Sequence, residues 1–523
     1  MLHQEHGMSG GAPLERKPDD AKPDKPQPDA HAGDDPYALS DGAIQEPPST
    51  LWLALRKIGP GIVLAGSIVG SGELIQTTGL GADSGFTFLW LVLFSCIIKV
   101  FVQIELGRYA ISSGQPTLTA LDGLPGPRLG AHWLVWWWFI MLLVTIFQLG
   151  AMVGLVGQAM HMAFPGVSAA LADGLAGISQ RLAEEIRARP EHPWAIFTAL
   201  AAILLLLSGG YKRIEWITTA LVAGVTLVTI LSVAMLPASG YPLTLSDVGK
   251  GFSVTEALAL PATAIGLAFS TFGITGVGAS ELYSYPYWCL EKGYARFTGR
   301  RGDDPRWTER ARGWLRVMVL DAWVSCIVFT VATVAFFVLG ATILHAKVVT
   351  ENVPPPQGPK MILALSEMYV HTFGSWTKLL FMIGAWAVLF KTLYVASAGH
   401  ARLSTDFLAL AGAVRYDQPG KRARWIQWFC VFFPTVALFL YLAVREPGVM
   451  VRIGGYAQAV TLPVISGAAL YLRYFRTDRR LAPSRLSDAC LWLAFLLITG
   501  VAVFALVSAA GALWKALSPA AGG

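Results

Sequence analysis

The chain has 523 residues, of which 54% are hydrophobic and only 14% charged. A soluble protein of this length carries roughly a quarter of its residues as Asp, Glu, Lys and Arg, so the composition excludes an ordinary soluble enzyme and places the chain in a membrane. The formal charge of +6 is scattered in short runs between apolar stretches, the pattern of loops at a membrane surface and not of a nucleic-acid-binding domain.

Residues 1–50 are rich in Pro, Asp, Ala and Lys and poor in large apolar side chains. They bury too little surface to offset the entropy of ordering and are expected to form a disordered tail. No apolar stretch follows a basic start with a small-residue cleavage site, so the first span is expected to insert as a permanent helix. About eleven apolar stretches of near-spanning length follow, a span needing about 20 residues. They lie at 58–82, 86–111, 132–163, 194–210, 214–236, 255–290, 313–343, 374–400, 423–444, 448–473 and 487–514. The fourth is the shortest, and Ser208, Gly209 and Gly210 leave only a tight turn before the fifth.

Counting loops alternately, most Lys and Arg fall on the tail's side: the loop Lys292 to Arg316, the run Arg415, Lys421, Arg422 and Arg424, and the run from Arg473 to Arg485. The positive-inside rule makes the tail cytoplasmic and, with an odd number of spans, the C-terminus external. Segments 164–193 and 344–373 then lie outside and are long enough for surface helices, Pro354 to Pro356 interrupting the second. The five cysteines show no C-x-x-C spacing and read as packing residues. His161, His345, His371 and His400 show no ligand spacing and read as lone interfacial side chains. Trp136, Trp137 and Trp138 read as an interfacial belt or packing residues. No P-loop, H-E-x-x-H or nucleophile-elbow motif occurs in a suitable setting, so neither an enzyme nor an ATP-driven pump is expected, and no cofactor or obligatory protein partner is implied.

One pattern occurs twice. The first span contains Val69-Gly70-Ser71-Gly72-Glu73-Leu74 and the sixth contains Val277-Gly278-Ala279-Ser280-Glu281-Leu282. An offset of five spans threads the second copy with the opposite orientation, as in inverted-repeat transporters. Gly66, Gly70 and Gly72, and Gly273, Gly276 and Gly278, lower the cost of leaving helical geometry. Carbonyls freed by such a break need a partner, since hydrocarbon offers none, and an intramembrane glutamate is by default a functional group. The bland alternative is close helix packing with each Glu bonded to a neighbouring helix. Lys99 and Asp321 are expected to form a structural ion pair, and Lys391, deep in the eighth span, is either a tethered charge replacing a driving ion or a snorkelling side chain.

The stretch Gly59-Pro60-Gly61 through Glu73, then Gly85-Phe86, Leu89-Trp90, Gln103 and Gly114, resembles the first two helices of the Nramp divalent-metal transporters, and the likeness runs loosely to Leu462-Pro463 and beyond. The resemblance implies an all-α polytopic membrane protein with the LeuT-type architecture: a first repeat over 51–254, an inverted second over 255–473, and an extra helix with a short C-terminus over 474–523. It also places Gly70 where the family has its metal-binding Asp, Glu73 where it has Asn, and Gly278-Ala279-Ser280 where it has Met-Pro-His. Loss of the thioether shifts the expected preference toward magnesium or calcium. The family's acidic pair of span three falls on Gln148 and Ala151, its span-nine Arg on Trp428 and its span-six His on Ser280, so proton coupling is not expected. These departures resemble the magnesium-transporting branch related to Nramp.

The candidate metal ligands are thus Glu73 first and Glu281 second, then Ser67 and Thr275 at the family's carbonyl donors, the hydroxyls of Ser71 and Ser280, the break positions Gly70 and Gly278, and Thr461 at the place of a family Gln, with Gln458 one turn earlier. Two functions stand side by side: a secondary carrier of divalent cations working by alternating access, or a sodium- or proton-coupled carrier of an amino acid or other organic solute. A membrane sensor on the same fold is a third class, disfavoured by the lack of a soluble output domain.

Overall fold

The computed structural model describes residue 37 and residues 39–517, apart from 40, 71, 210, 240–242, 357–359, 361, 365, 367–373, 417 and 419. Among the described residues, eight helices are long and apolar enough to cross a membrane: Leu89–Ser113, Trp133–Ala163, Ala262–Lys292, Pro305–Glu351, Phe381–Leu410, Lys421–Val444, Pro447–Arg476 and Arg485–Ser508. They coincide with expected spans two, three and six to eleven. The other three expected spans are also helical, the first broken and the fourth short. Span one is divided into Pro60–Ile68, Gly72–Thr77 and Thr78–Ser84, the middle piece wound as a wider π-helix. Span four is the short helix His192–Ser208, bent by 91° from the preceding Gln180–Ala188, and span five is Tyr211–Ala234.

Local sequence sets these boundaries. Span two stops where Gly114 takes up φ 72° and its N–H closes onto the Ala110 carbonyl, a left-handed cap that glycine adopts without steric cost. Pro165 opens the helix Pro165–Ala176, which is followed by Gln180–Ala188 within the 164–193 segment. The only strand pairing among the described residues is the two-residue ladder of Arg128–Leu129 with Ala131–His132.

Span three runs along spans eight, nine and ten, while the first half of span one sits among spans five, six, seven and eight. Lipid tails are as apolar as Leu, so close packing and internal polar contacts, not a hydrophobic drive, hold such a bundle together. Its interior has large side chains with no exposed surface, such as Trp138, Trp314 and Tyr394. Four of the five cysteines are buried and all are free, matching their reading as packing residues.

Of the tail, residues 1–36 lie outside the described residues. Gln45 is tied to the bundle: its N–H donates to the Phe297 carbonyl at 3.0 Å, and Trp314 Nε1 donates to its carbonyl at 2.9 Å. Aromatic surface drives this, with Tyr37 edge-on to Tyr287 at 5.9 Å beneath the Arg422 guanidinium. The basic loops meet at the same end of the bundle. Arg300 donates to the Leu39 carbonyl, Arg312 to the Arg480 carbonyl, and Arg301 pairs with Asp478 at 2.9 Å.

Candidate functional site

Both expected breaks are present. The first half of span one ends at Val69, which turns away from helical geometry at φ −69°, ψ 85°, and the helix resumes at Gly72. The first half of span six, Ala262–Ile274, ends at the extended Thr275 and resumes at Ala279. Gly276 between them has φ 65°, and a Cβ there would lie 2.8 Å from Cys96 Cα, so only glycine fits. At Gly70 a Cβ would lie 1.9 Å from Thr392 Oγ1. Any side chain at Gly70 would thus have to displace Thr392 of the neighbouring span.

A cavity of ≈ 20 Å³ opens between the breaks, enough for about one water or a bare ion. Spans one and six line it with Ser67, Ile68, Ser280 and Glu281; spans three, eight and ten add Thr145, Gln148, Met152, Thr392, His400 and Gln458. Glu281 Oε1 accepts from Ser67 Oγ at 2.7 Å, joining the two broken spans directly. The Ser280 N–H donates to Gln458 Oε1 at 3.1 Å, and Gln458 Nε2 donates to Gln148 Oε1 at 3.0 Å, an amide chain from span six through ten to three. Ser280 Oγ and His400 Nδ1 are buried without a protein partner and are open to a guest. Toward the end of the bundle opposite the N-terminus lies a wider cavity of ≈ 230 Å³, lined by Gln76, Asp83 and Arg452 among others.

The two glutamates do not share the cavity. Glu73 is fully buried and does not line it; its Oε2 accepts from the Gly70 N–H at 3.1 Å and its Oε1 from Thr333 Oγ1 at 3.3 Å. Of the two, Glu281 lines this cavity and Glu73 lies behind it. Ser67 and Ser280 sit beside it, and Gly278 abuts Gln458 Oε1, which a Cβ would approach to 2.4 Å. Ser71 lies outside the described residues. Thr461 does not line the cavity, because its hydroxyl donates to the Ala457 carbonyl at 2.9 Å and accepts from Trp137 Nε1 at 3.2 Å. The Thr275 carbonyl, an expected ligand, already accepts from Lys99 Nζ at 2.7 Å and Ser95 Oγ at 2.9 Å. Among the described residues, no three His, Cys, Asp or Glu side chains converge to hold a metal.

Lys99 and Asp321 do not pair. Lys99 Nζ donates to the Phe272 and Thr275 carbonyls at 2.5 and 2.7 Å, whereas Asp321 accepts the Gly59 and Gly61 N–H groups at 2.9 and 2.6 Å. Each charge has found the pole of a helix: the ammonium a carbonyl end, the carboxylate an amide end. Lys391 behaves like Lys99, donating to the Val69 and Gly66 carbonyls at 2.5 and 3.2 Å.

Sequence reasoning missed His400 and Met152 as cavity residues and treated Gln148 only as a lost acid. A signal was available: Thr392, Ala396 and His400, and likewise Gln148 and Met152, are spaced by four and so share a helix face.

A profile of the Nramp family (natural resistance-associated macrophage protein-like) matches residues 61–508. Among curated protein sequences nothing matches the chain significantly. The solved manganese transporter of Eremococcus coleocola, in complex with an aromatic bis-isothiourea compound, is similar in fold, with a TM-score of 0.61 at 14% identity over 90% of each chain. A histidine-to-alanine mutant of that transporter gives 0.62 at 15% identity, over 92% of this chain and 93% of the other. A nucleobase–cation symport transporter in a closed conformation gives 0.51 at 13% identity, over 87% and 90%. These likenesses are of fold, the LeuT-type arrangement with broken spans one and six. With a profile match over most of its length, the chain belongs to the Nramp family, a family of divalent-metal transporters.

Proposed function

We propose that this protein is a carrier of divalent cations, magnesium foremost, which moves its cargo by alternating access through the cavity at Glu281 without proton coupling. The observation that carries the reading is the cavity itself: one carboxylate, hydroxyls and amides around a space of ≈ 20 Å³. Oxygen donors suit hard dications. Magnesium keeps several waters when bound by few carboxylates, so its loading requires the spans around Glu281 to part. The absence of proton coupling is supported by the side chains at the family's acid and base positions. Gln148 is tied into the amide chain, Ala151 is buried and apolar, and Trp428 is 51% exposed on the outside of the bundle. A dication gains about 4.6 kcal/mol per 100 mV of inward-negative potential, twice the single-charge value, so uptake does not require a second ion. The gathering of basic loops at the end of the bundle that holds Leu39 supports a cytoplasmic N-terminus.

Met152 and His400 favour a second reading, a softer cargo such as manganese, because thioether and imidazole are the donors that such ions prefer. Competition of magnesium, calcium and manganese in one proteoliposome uptake assay separates the two. Magnesium competing at least as well as manganese is expected. Manganese uptake that tenfold excess magnesium leaves untouched favours the second reading, and no flux of any of the three overturns divalent-cation transport.

A further inference from the structure

Two lysines inside the bundle make the same contact at two places. The first half-helix of span one ends with the Gly66 and Val69 carbonyls pointing at the break, and the Lys391 ammonium bridges them, joined by Thr392 Oγ1, which donates to the Gly66 carbonyl at 3.3 Å. The first half-helix of span six ends with the Phe272 and Thr275 carbonyls, and the Lys99 ammonium bridges those, joined by Ser95 Oγ at 3.3 and 2.9 Å. Each pair of carbonyls is three residues apart, at the negative pole of a half-helix whose next turn is missing. Each lysine is fully buried, and each comes from an unbroken neighbouring span rather than from the broken helix.

A cluster of two helix-end carbonyls with an adjacent hydroxyl, away from water, is the chemistry that coordinates a free alkali cation. We infer that Lys99 and Lys391 are built-in cations, each filling a carbonyl cradle that would otherwise need a monovalent ion such as sodium. The alternative is that each lysine caps a buried helix end and does no more. Capping and ion replacement differ in one respect: a cap lost by mutation is not restored by a small cation, whereas an emptied cradle is.

The experiment uses the full chain with Lys391→Met and, separately, Lys99→Met, neither of which lines the cavity at Glu281. Thermal melting is read in sodium chloride against choline chloride at equal ionic strength. The wild type is expected to melt identically in both salts. Each variant is expected to melt lower in choline and to regain stability with sodium in a saturable way. In proteoliposomes the variants' divalent uptake falls about tenfold in choline, the loss expected for one charge-assisted contact, and recovers in sodium, while wild-type uptake ignores the swap. Several outcomes overturn the inference: a saturable sodium response in the wild type, variants that melt alike in both salts, or failure of both variants to fold even in sodium. Only the uptake arm rests on the divalent-cation reading. Sodium-responsive melting in variants of a protein that moves no dication would keep this inference and sink that reading.

Discussion

The two breaks carry nearly the same six residues yet have been put to different ends. In span six the glutamate points into the shared cavity and meets Ser67 of span one. In span one it folds back on its own break, accepting the Gly70 N–H and a hydroxyl from span seven. A repeated motif therefore marks where a helix opens, not what the opening is for. The neighbouring spans decide that: Thr392 fills the space beside Gly70, whereas Gln458 and His400 leave room beside Ser280.

The largest expected effect tests this division directly. Glu281→Gln removes the only carboxylate in the cavity and is expected to cut divalent uptake at least about tenfold with little change in melting, one charge-assisted contact being lost. Glu73→Gln is expected to do the reverse. The Lys391 ammonium lies within electrostatic reach of Glu73, and leaving a buried charge uncompensated costs about 3 kcal/mol of stability. Adding Lys391→Met to Glu73→Gln should then recover part of the loss, a coupling that melting of the single and double variants measures. Equal effects of the two glutamine variants on uptake would erase the distinction. Next in size is Gly70→Asp, which places a second carboxylate in the first break. It is expected to lower stability by about 1–3 kcal/mol through overpacking against Thr392, and to be relieved by Thr392→Ala; undiminished melting of the single variant would show that span eight yields.

The smallest effect lies outside the membrane. Asp478 is held down to about 2, from an ordinary value of 3.8, chiefly by its hydrogen bond from the Arg480 guanidinium. A carboxyl depressed by folding adds stability that is complete above its unfolded value and is lost as pH falls through its folded one. The clasp of Asp478 with Arg301 and Arg480 should therefore be indifferent to pH from about 5 to 9 and fail only from about 4 downward. Hydrogen exchange across the Thr477–Leu481 loop reads this, and a change near neutral pH would implicate another group.

The broken spans, their glycines and the five-span offset were legible in sequence because each leaves a local or periodic trace. The partners of the charges were not. Lys99 and Asp321 read as an ion pair because charges in hydrocarbon need company, but helix ends carry partial charges that no residue letter records. His400 and Met152 were hidden for a different reason: their role depends on which face of spans eight and three turns inward, and both spans are apolar on nearly every side. Residues 1–50 read as tail by composition, although Tyr37 packs on Tyr287 of span six and Gln45 bonds Phe297 in the loop after it.

The half-helix Pro60–Ile68 is gripped at both poles, by Asp321 at its amide end and by Lys391 at its carbonyl end. In mechanical terms it is a strut riveted to spans seven and eight. A cycle that swings this piece must shear both rivets at once, whereas one that leaves it standing has to find its travel in the π-wound segment Gly72–Thr77 above the break. The two fastenings thus separate two kinds of stroke, one that breaks both and one that breaks neither.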